Sequence, residues 1–216
     1  MLKTVIFDID GTLLNTEPVY MQAWMEAGKR FGYHVTREAL LQTRAVSKQI
    51  AMERLRQCCG VDFPYDTVRQ ERIRIAEDLF EITPPERLRM PGALEILRWL
   101  KEQGFTLAAA TSTERNQTMN HLARGELTGF FSAIVCGDMV KKGKPEPDIY
   151  LYAAEKLGVT PRECMVLEDS PAGILAAHRA GCVPVMIPDQ DEPDAETERL
   201  LYACVARLDL VPDLLS

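Results

Sequence analysis

The chain has 216 residues, enough for one hydrophobic core with an insertion or for two small domains. Hydrophobic residues make up 46% and charged residues 26%, a balance that is typical of a folded globular protein and argues against disorder. The formal net charge of -7 argues against a nucleic-acid partner, because contact with a phosphate backbone needs a basic face.

Residues 1–7 form a short apolar run that ends at Asp8. The run is too short for the hydrophobic part of a signal peptide or for a membrane span, so we expect a cytoplasmic protein without a membrane partner. The six cysteines include no Cys-x-x-Cys pair, which favours reduced thiols over a zinc site or a disulfide framework. We also expect a monomer.

Short apolar segments without alternation predict strands that are buried on both faces. Five such segments lie at residues 4–9, 105–110, 133–136, 164–167 and 183–187. The last four each follow a helical pattern, and several of these patterns end at a glycine. The alternation predicts an α/β fold with a doubly wound parallel (Rossmann-like) sheet, in which ligands bind beyond the carboxyl ends of the strands.

The stretch between the first two predicted strands is far longer than one crossover needs. From Pro18 to Glu81 its pattern is almost wholly helical. We therefore predict a core domain formed by residues 1–15 and 86–216, with an inserted helical cap domain at residues 16–85.

Two acids, Asp8 and Asp10, directly follow the first predicted strand. Alternate residues of a strand point the same way, so both carboxylates are expected together at the carboxyl edge of the sheet. A bound hard cation or a shared proton would relieve their repulsion, and Gly11 and Thr12 supply a turn whose N–H groups suit an anion. For the pair alone an ordinary Asp-Gly turn is the simpler interpretation, but five such residues after a buried strand favour a functional site.

The run from Asp8 to Leu13, DIDGTL, resembles the nucleophile motif of the haloacid dehalogenase superfamily. Three further motifs of that family follow in order, each after a predicted strand: Thr111-Ser112, Lys144 to Asp148 (KPEPD), and Leu167 to Gly173 (LEDSPAG). The resemblance covers nearly the whole chain. The inserted helices make it similar to the subgroup that contains β-phosphoglucomutase.

The resemblance implies that Asp8 is the nucleophile and that Asp10 is the general acid and base. It implies Mg²⁺ as cofactor, held by Asp8, the main-chain carbonyl of Asp10, and Asp169. Positive charge is also needed on physical grounds, since a carboxylate and a phosphate dianion repel each other. Glu168 is implied to orient its neighbours or to reach the metal only through water.

Lys144 is implied to place a second positive charge between the nucleophile and the phosphoryl oxygens. Thr111 is implied to contribute its hydroxyl, and Ser112 a backbone N–H at the start of the following helix, to a phosphate site. Each residue has a purely structural alternative. The lysine would be solvated, and the threonine would be a helix cap or the end of a strand.

Within this superfamily the inserted helices are expected to choose the substrate. Residues 44–48 resemble the specificity loop of the β-phosphoglucomutase subgroup, which makes Arg44 and Lys48 candidate contacts. Tyr20 stands where that mutase carries a histidine, and Lys48 where it carries an arginine. These departures weigh against mutase activity, although a lysine still binds a carboxylate or a distal phosphate as a point charge.

These patterns together predict a Mg²⁺-dependent phosphatase for a small phosphorylated metabolite, a sugar or polyol phosphate, that acts through a phospho-aspartate. The alternative is a phosphomutase of the β-phosphoglucomutase type, which would convert one hexose phosphate into another with little net hydrolysis. A carbon-halogen hydrolase is disfavoured because such enzymes lack an acid at the position of Asp10. A non-catalytic phosphate-binding module is the remaining alternative, and the presence of all four motifs argues against it.

Overall fold

A computed structural model describes residues 2–43 and 48–215. The chain folds as two compact units, residues 1–15 with 84–216 and residues 16–83. The sequence places the second boundary after Pro85, whereas in the structure Pro85 begins a short helix of the first unit. Within the described part of the chain, no helix combines the length and the apolar character that crossing a membrane requires.

The first unit contains a six-stranded sheet. Its strands are β1 (Thr4–Phe7), β2 (Thr106–Ala110), β3 (Ala133–Val135), β4 (Cys164–Glu168), β5 (Val183–Met186) and β6 (Ala203–Cys204). Their order is β3-β2-β1-β4-β5-β6 and all neighbours are parallel, which confirms the doubly wound sheet. The sequence does not predict β6, because two residues carry no recognisable pattern.

The described residues of the helical unit, 16–43 and 48–83, form four helices. They are α1 (Glu17–Arg30), α2 (Arg37–Leu41), α3 (Lys48–Cys59) and α4 (Tyr65–Ile82). The long helices α1 and α4 pack on each other, and their buried side chains include Ala23 and Ala27 on α1 and Val68 and Ile75 on α4. Small residues on α1 let the larger side chains of α4 fill the space between the two axes.

The helices of the first unit alternate with its strands. They are α5 (Pro85–Leu88), α6 (Ala93–Glu102), α7 (Arg115–Arg124), α8 (Asp148–Leu157), α9 (Pro171–Ala180) and α10 (Ala195–Glu198). Buried apolar side chains from the sheet, α8 and α9 form a shared core cluster. Helices α8 and α9 both end at a glycine with positive φ, Gly158 and Gly181, as the sequence predicts.

The chain segments that leave and re-enter the first unit lie side by side. The N–H of Asn15 donates to the carbonyl of Leu88 at 2.8 Å, and the N–H of Met90 donates to the carbonyl of Leu13 at 2.9 Å. An isolated antiparallel bridge joins Leu14 to Arg89 between these two bonds. The two ends of the insertion are therefore held together by main-chain hydrogen bonds within the first unit.

Strand β1 lies at the centre of the sheet, with Val5, Ile6 and Phe7 fully buried. Phe7 is in register with Ala109 of β2 on one side and with Leu167 of β4 on the other. The residues that follow these three strands therefore start from the same edge of the sheet.

Candidate active site

Hydrogen bonds connect side chains from all four motifs at the carboxyl edge of the sheet. Asp8 and Asp10 follow β1, Thr111 follows β2, Lys144 lies between β3 and α8, and Asp169 follows β4. The bonds run from Lys144 to Asp8 and to Glu168, from Thr111 to Asp10, and from Thr12 to Asp169. The core residues that the sequence predicts for the site are thus neighbours in space.

The Lys144 ammonium group is buried between two carboxylates. Its Nζ lies 2.5 Å from Asp8 Oδ1 and 2.5 Å from Glu168 Oε1, and it also donates to the carbonyl of Ala110 at 3.4 Å. The side chain of Lys144 is only 7% exposed. Lys144 is therefore not a solvated surface lysine, in contrast to its exposed neighbour Lys142.

The pKa values of Asp8, Glu168 and Lys144 are shifted in different directions by burial and by their charged neighbours. Burial raises the pKa of Asp8 to about 8, with Glu168 and Asp10 adding to the rise and Lys144 partly offsetting it. Burial also acts to raise the pKa of Glu168, but Lys144 and the donors of Ser170 outweigh it and lower that pKa. For Lys144, burial acts to lower the pKa, yet the attraction of Asp8 and Glu168 raises it well above its ordinary value. The Lys144 ammonium therefore remains charged. Of its two carboxylate partners, Glu168 loses its proton more readily than Asp8 does.

Asp10 is held by two hydroxyl groups. Its Oδ2 accepts hydrogen bonds from Thr111 Oγ1 at 3.1 Å and from Thr113 Oγ1 at 2.8 Å. The N–H of Thr113 in turn donates to Thr111 Oγ1 at 3.1 Å, so the two threonines support each other. The sequence reasoning missed Thr113, although a second hydroxyl residue two positions after Thr111 is a visible signal.

The loop after β1 packs directly against Asp169. Gly11 has φ +94°, and a Cβ at that position would overlap the carboxylate of Asp169. Thr12 Oγ1 donates to Asp169 Oδ1 at 3.4 Å. Burial raises the pKa of Asp169 to about 9, and the nearby charges of Glu168 and Asp8 add to this rise.

The carboxylate of Glu168 receives four hydrogen bonds. Oε1 accepts from Lys144 Nζ and from the hydroxyl of Tyr150 at 3.0 Å, while Oε2 accepts from the N–H and the Oγ of Ser170, each at 2.9 Å. Ser170 is also the N-cap of α9, since its Oγ accepts from Gly173 N–H at 3.1 Å. Ser170 therefore both caps α9 and holds the Glu168 carboxylate. The sequence reasoning missed Tyr150 because it appears in sequence as one more apolar position of a core helix.

The donor chemistry of this edge fits a hard cation such as Mg²⁺. Asp8 and Asp169 are both 5% exposed, and the negative charge of Asp8 contributes to the raised pKa of Asp169. One ammonium group is therefore too little positive charge for these acids to be ionised together. In the described part of the chain, no three acidic, histidine or cysteine side chains converge on a metal position by themselves. A cation here would need main-chain oxygen and water in addition to the two carboxylates.

The sequence also predicts contacts at Ser112, Arg44 and Lys48. Ser112 is exposed in the loop before α7, two residues before the N-cap Glu114, so it is not at the start of the helix as the sequence reasoning assumes. Arg44 lies outside the described residues. Lys48 is the first residue of α3, but its side chain lies outside the described part as well.

Tyr20 lies in a cavity within the helical unit. The guanidinium carbon of Arg72 is 4.1 Å from the Tyr20 ring centroid and 5.8 Å from that of Trp24. Nε of Arg72 is buried and has no hydrogen-bond partner among the described residues. The cavity, ≈ 160 Å³ in volume, is also lined by Glu17 and Thr43. Arg72 is therefore not a solvated helix position, because its neighbours are two aromatic rings.

A doubly wound sheet with acids and a buried lysine at its carboxyl edge, and with helices inserted after its first strand, defines an α/β enzyme with a helical insertion. Residues 2–181 match the family model of haloacid dehalogenase-like hydrolases, and the chain belongs to this family.

The relatives include enzymes that act on phosphorylated compounds. A phosphorylated carbohydrates phosphatase of Thermotoga maritima is 34% identical over 184 residues, covering 83% of this chain and 82% of that protein. Hexitol phosphatase A of Escherichia coli is 33% identical over 205 residues, covering 92% of this chain and 87% of that protein. A crystal structure from Thermotoga maritima, provisionally described as a β-phosphoglucomutase, has a TM-score of 0.82 and 29% identity and covers 99% of this chain and 98% of that one. The chain is thus an enzyme of the group that contains phosphatases and phosphomutases.

Proposed function

We propose that the chain is a Mg²⁺-dependent phosphatase that hydrolyses a small phosphorylated metabolite, a sugar or polyol phosphate, through a phospho-aspartate on Asp8. The observation that carries the proposal is the buried contact of Lys144 with Asp8, next to an Asp10 carboxylate that is held by two hydroxyls. The names of the two relatives, a carbohydrate phosphate phosphatase and a hexitol phosphatase, support the substrate class.

In the first step an oxygen of Asp8 attacks phosphorus, and the bond from phosphorus to the ester oxygen breaks. Lys144 lies 2.5 Å from Asp8 Oδ1, where its charge reduces the repulsion between the carboxylate and the phosphoryl oxygens. Asp10 gives a proton to the departing ester oxygen, which leaves as an alcohol. The hydroxyls of Thr111 and Thr113 hold the Asp10 carboxyl group in one orientation for this transfer.

In the second step a water molecule attacks the phosphorus of the phospho-aspartate. Asp10, now deprotonated, takes the proton from this water, and the bond between phosphorus and the Asp8 oxygen breaks. Inorganic phosphate leaves and Asp8 returns to its carboxylate form. One side chain thus acts first as acid and then as base.

Asp8, the main-chain carbonyl of Asp10, and Asp169 would hold Mg²⁺. When bound, the ion supplies positive charge that the four clustered acids and the substrate dianion require beyond that of Lys144. Glu168 would orient Lys144 from outside this set, since its two oxygens already accept hydrogen bonds from Lys144, Tyr150 and Ser170.

We further propose that the helical unit selects the substrate, with Tyr20, Arg44 and Lys48 among its contacts and Ser112 contributing to the phosphate site. The support is the resemblance of residues 44–48 to a specificity loop and the position of Tyr20 in a cavity that has both polar and aromatic walls. Aromatic rings together with hydrogen-bonding groups suit a polyhydroxylated ligand.

The first test is release of inorganic phosphate from a panel of sugar and polyol phosphates, with and without Mg²⁺. We expect Asp8→Asn to lower kcat by more than about a thousandfold, because it removes the nucleophile with little change in size. Asp78→Asn, at an exposed position of α4, is the matched control and should retain full activity. Full turnover without a divalent cation, or by the Asp8 variant, would contradict the proposal.

The second candidate is a phosphomutase, which is favoured by the provisional description of the structural neighbour from Thermotoga maritima. A mutase would interconvert hexose phosphate isomers in the presence of a bisphosphate and release little phosphate. Identification of the products by NMR separates the two functions.

A further inference from the structure

Tyr150 lies beside the site but has no part in the steps above. It belongs to α8 and is fully buried. Its hydroxyl donates to Glu168 Oε1 at 3.0 Å, and its ring centroid lies 5.2 Å from Lys144 Nζ. The same tyrosine therefore contacts both members of the Lys144–Glu168 ion pair.

Glu168 has little freedom once these contacts are counted. A carboxylate offers about four lone-pair positions, and this one accepts four hydrogen bonds from Lys144, Tyr150 and Ser170. A Cβ at position 173 would overlap the carboxylate, so the start of α9 also confines it. Tyr150 is the donor that shares Oε1 with Lys144, and it therefore limits where that oxygen, and with it the ammonium group, can lie.

Hydrogen-bond acceptors fix the direction in which the Lys144 side chain points. Its ammonium group ends a flexible four-carbon chain and has three N–H bonds, which match the three acceptors Asp8 Oδ1, Glu168 Oε1 and the Ala110 carbonyl. Asp8 changes its charge and its bonding during turnover, so it is the least constant of the three acceptors. Glu168 is held by Tyr150 and is an acceptor that does not change during turnover.

We propose that Tyr150 is a positioning residue, whose hydroxyl fixes Glu168 and whose ring faces Lys144, so that the ammonium remains directed at Asp8 while phosphate is transferred. The inference rests on the function proposed above and extends it to a residue of α8 whose hydroxyl donates to Glu168.

The test compares Tyr150→Phe with Tyr152→Phe. Tyr152 is a matched control, since it lies on the same helix and also has a lysine, Lys156, at 4.9 Å from its ring centroid. We expect Tyr150→Phe to lower kcat about tenfold, the usual effect of removing one hydrogen bond to a charged group, with KM changed by less than about twofold. Tyr152→Phe should change neither constant. Circular dichroism and thermal unfolding show whether both variants remain folded at the assay temperature.

A second readout does not depend on activity. Buried ammonium protons exchange slowly with water, so ¹⁵N NMR should detect the Lys144 ammonium signal, assigned by its loss in Lys144→Arg. We expect faster exchange or a shifted signal in Tyr150→Phe and the unchanged signal in Tyr152→Phe. If the wild type is active, a kcat of Tyr150→Phe within twofold of wild type overturns the inference. If the wild type hydrolyses no phosphate ester, the proposed function fails, and an unaltered ammonium signal then overturns the positioning role separately.

Discussion

At the scale of single residues, Lys144 is the only cation that the structure places in hydrogen-bond contact with Asp8 among the described residues. Lys144→Met keeps the length of the side chain but leaves Asp8 and Glu168 buried without their partner. We expect kcat/KM to fall at least about a hundredfold and the free energy of unfolding to fall by about 3 kcal/mol, because a broken buried ion pair leaves an uncompensated charge.

Lys142→Met is the control for that variant, because Lys142 is exposed two residues away. Its effect on unfolding should stay within about 0.5 kcal/mol. Steady-state kinetics and urea unfolding measure both quantities. A Lys144→Met protein with wild-type kcat/KM would show that the ammonium group has no part in the reaction.

The raised pKa values of Asp8 and Asp169 lead to a prediction about metal affinity. Their values of about 8 and about 9 mean that both groups hold protons near neutral pH when no cation is bound. Metal ligands must be deprotonated, so protons and Mg²⁺ compete. Affinity for Mg²⁺ should therefore be weakest at low pH, rise as the pH approaches 8 to 9, and level off above that range.

Titration calorimetry at several pH values measures this affinity, and repeating it in buffers of different ionisation enthalpy counts the protons released. Asp169→Asn should weaken binding and reduce the number of protons released. Equal Mg²⁺ affinity at pH 6 and at pH 9 would contradict the assignment of these two carboxylates as ligands.

At the scale of elements, α4 carries two arginines in contrasting surroundings. Arg72 is stacked on Tyr20 and has a buried Nε without a partner among the described residues, whereas Arg74 is 59% exposed and paired with Glu71 and Asp78. An unpaired buried donor suits an acceptor oxygen of a ligand. We expect Arg72→Met to change the ratio of kcat/KM between a polyol phosphate and a phosphate ester without hydroxyls by about tenfold.

Arg74→Met should leave that ratio unchanged, since its charge lies in water. The comparison of the two ratios separates substrate selection from a general loss of stability, which would lower both kcat/KM values together. Equal ratios in the wild type and the Arg72 variant would remove this residue from the substrate contacts.

Elements with a strong pattern could be predicted from the sequence, and those without one could not. Strands β1, β2 and β4 were visible because a strand buried on both faces is a continuous apolar run. Strand β6 has only two residues, and the short helix α5 has only four. Local sequence carries too little information for either element.

Within the site as well, only residues that follow a recognisable sequence pattern could be predicted. Asp8, Asp10 and Asp169 follow predicted strands, so their proximity follows from the geometry of a parallel sheet. Thr113 and Tyr150 join the site through side-chain contacts that depend on where a loop and α8 lie in three dimensions. Nothing in the spacing of α8 distinguishes Tyr150 from an ordinary core residue. Tertiary contacts of this kind become visible only in the structure.

At the scale of the whole molecule, the chain matches its relatives over most of their length as well as its own, so both the α/β unit and the helical unit belong to the comparison. The structural neighbour from Thermotoga maritima covers 99% of this chain. The boundary between the units lies after residue 83, two residues before the position that the sequence suggests. Prolines 84 and 85 mark this region in the sequence but do not show on which side the boundary falls.

The paired segments at residues 13–15 and 88–90 offer a junction at which the helical unit could be exchanged. Main-chain bonds join its two ends, and the entropy of closing the intervening chain grows only slowly with the number of residues between them. A longer, shorter or unrelated insert could therefore be grafted at the same junction while the acids after β1 keep their places. If the helical unit selects the substrate as proposed, such grafts would change the substrate range without redesign of the reaction centre.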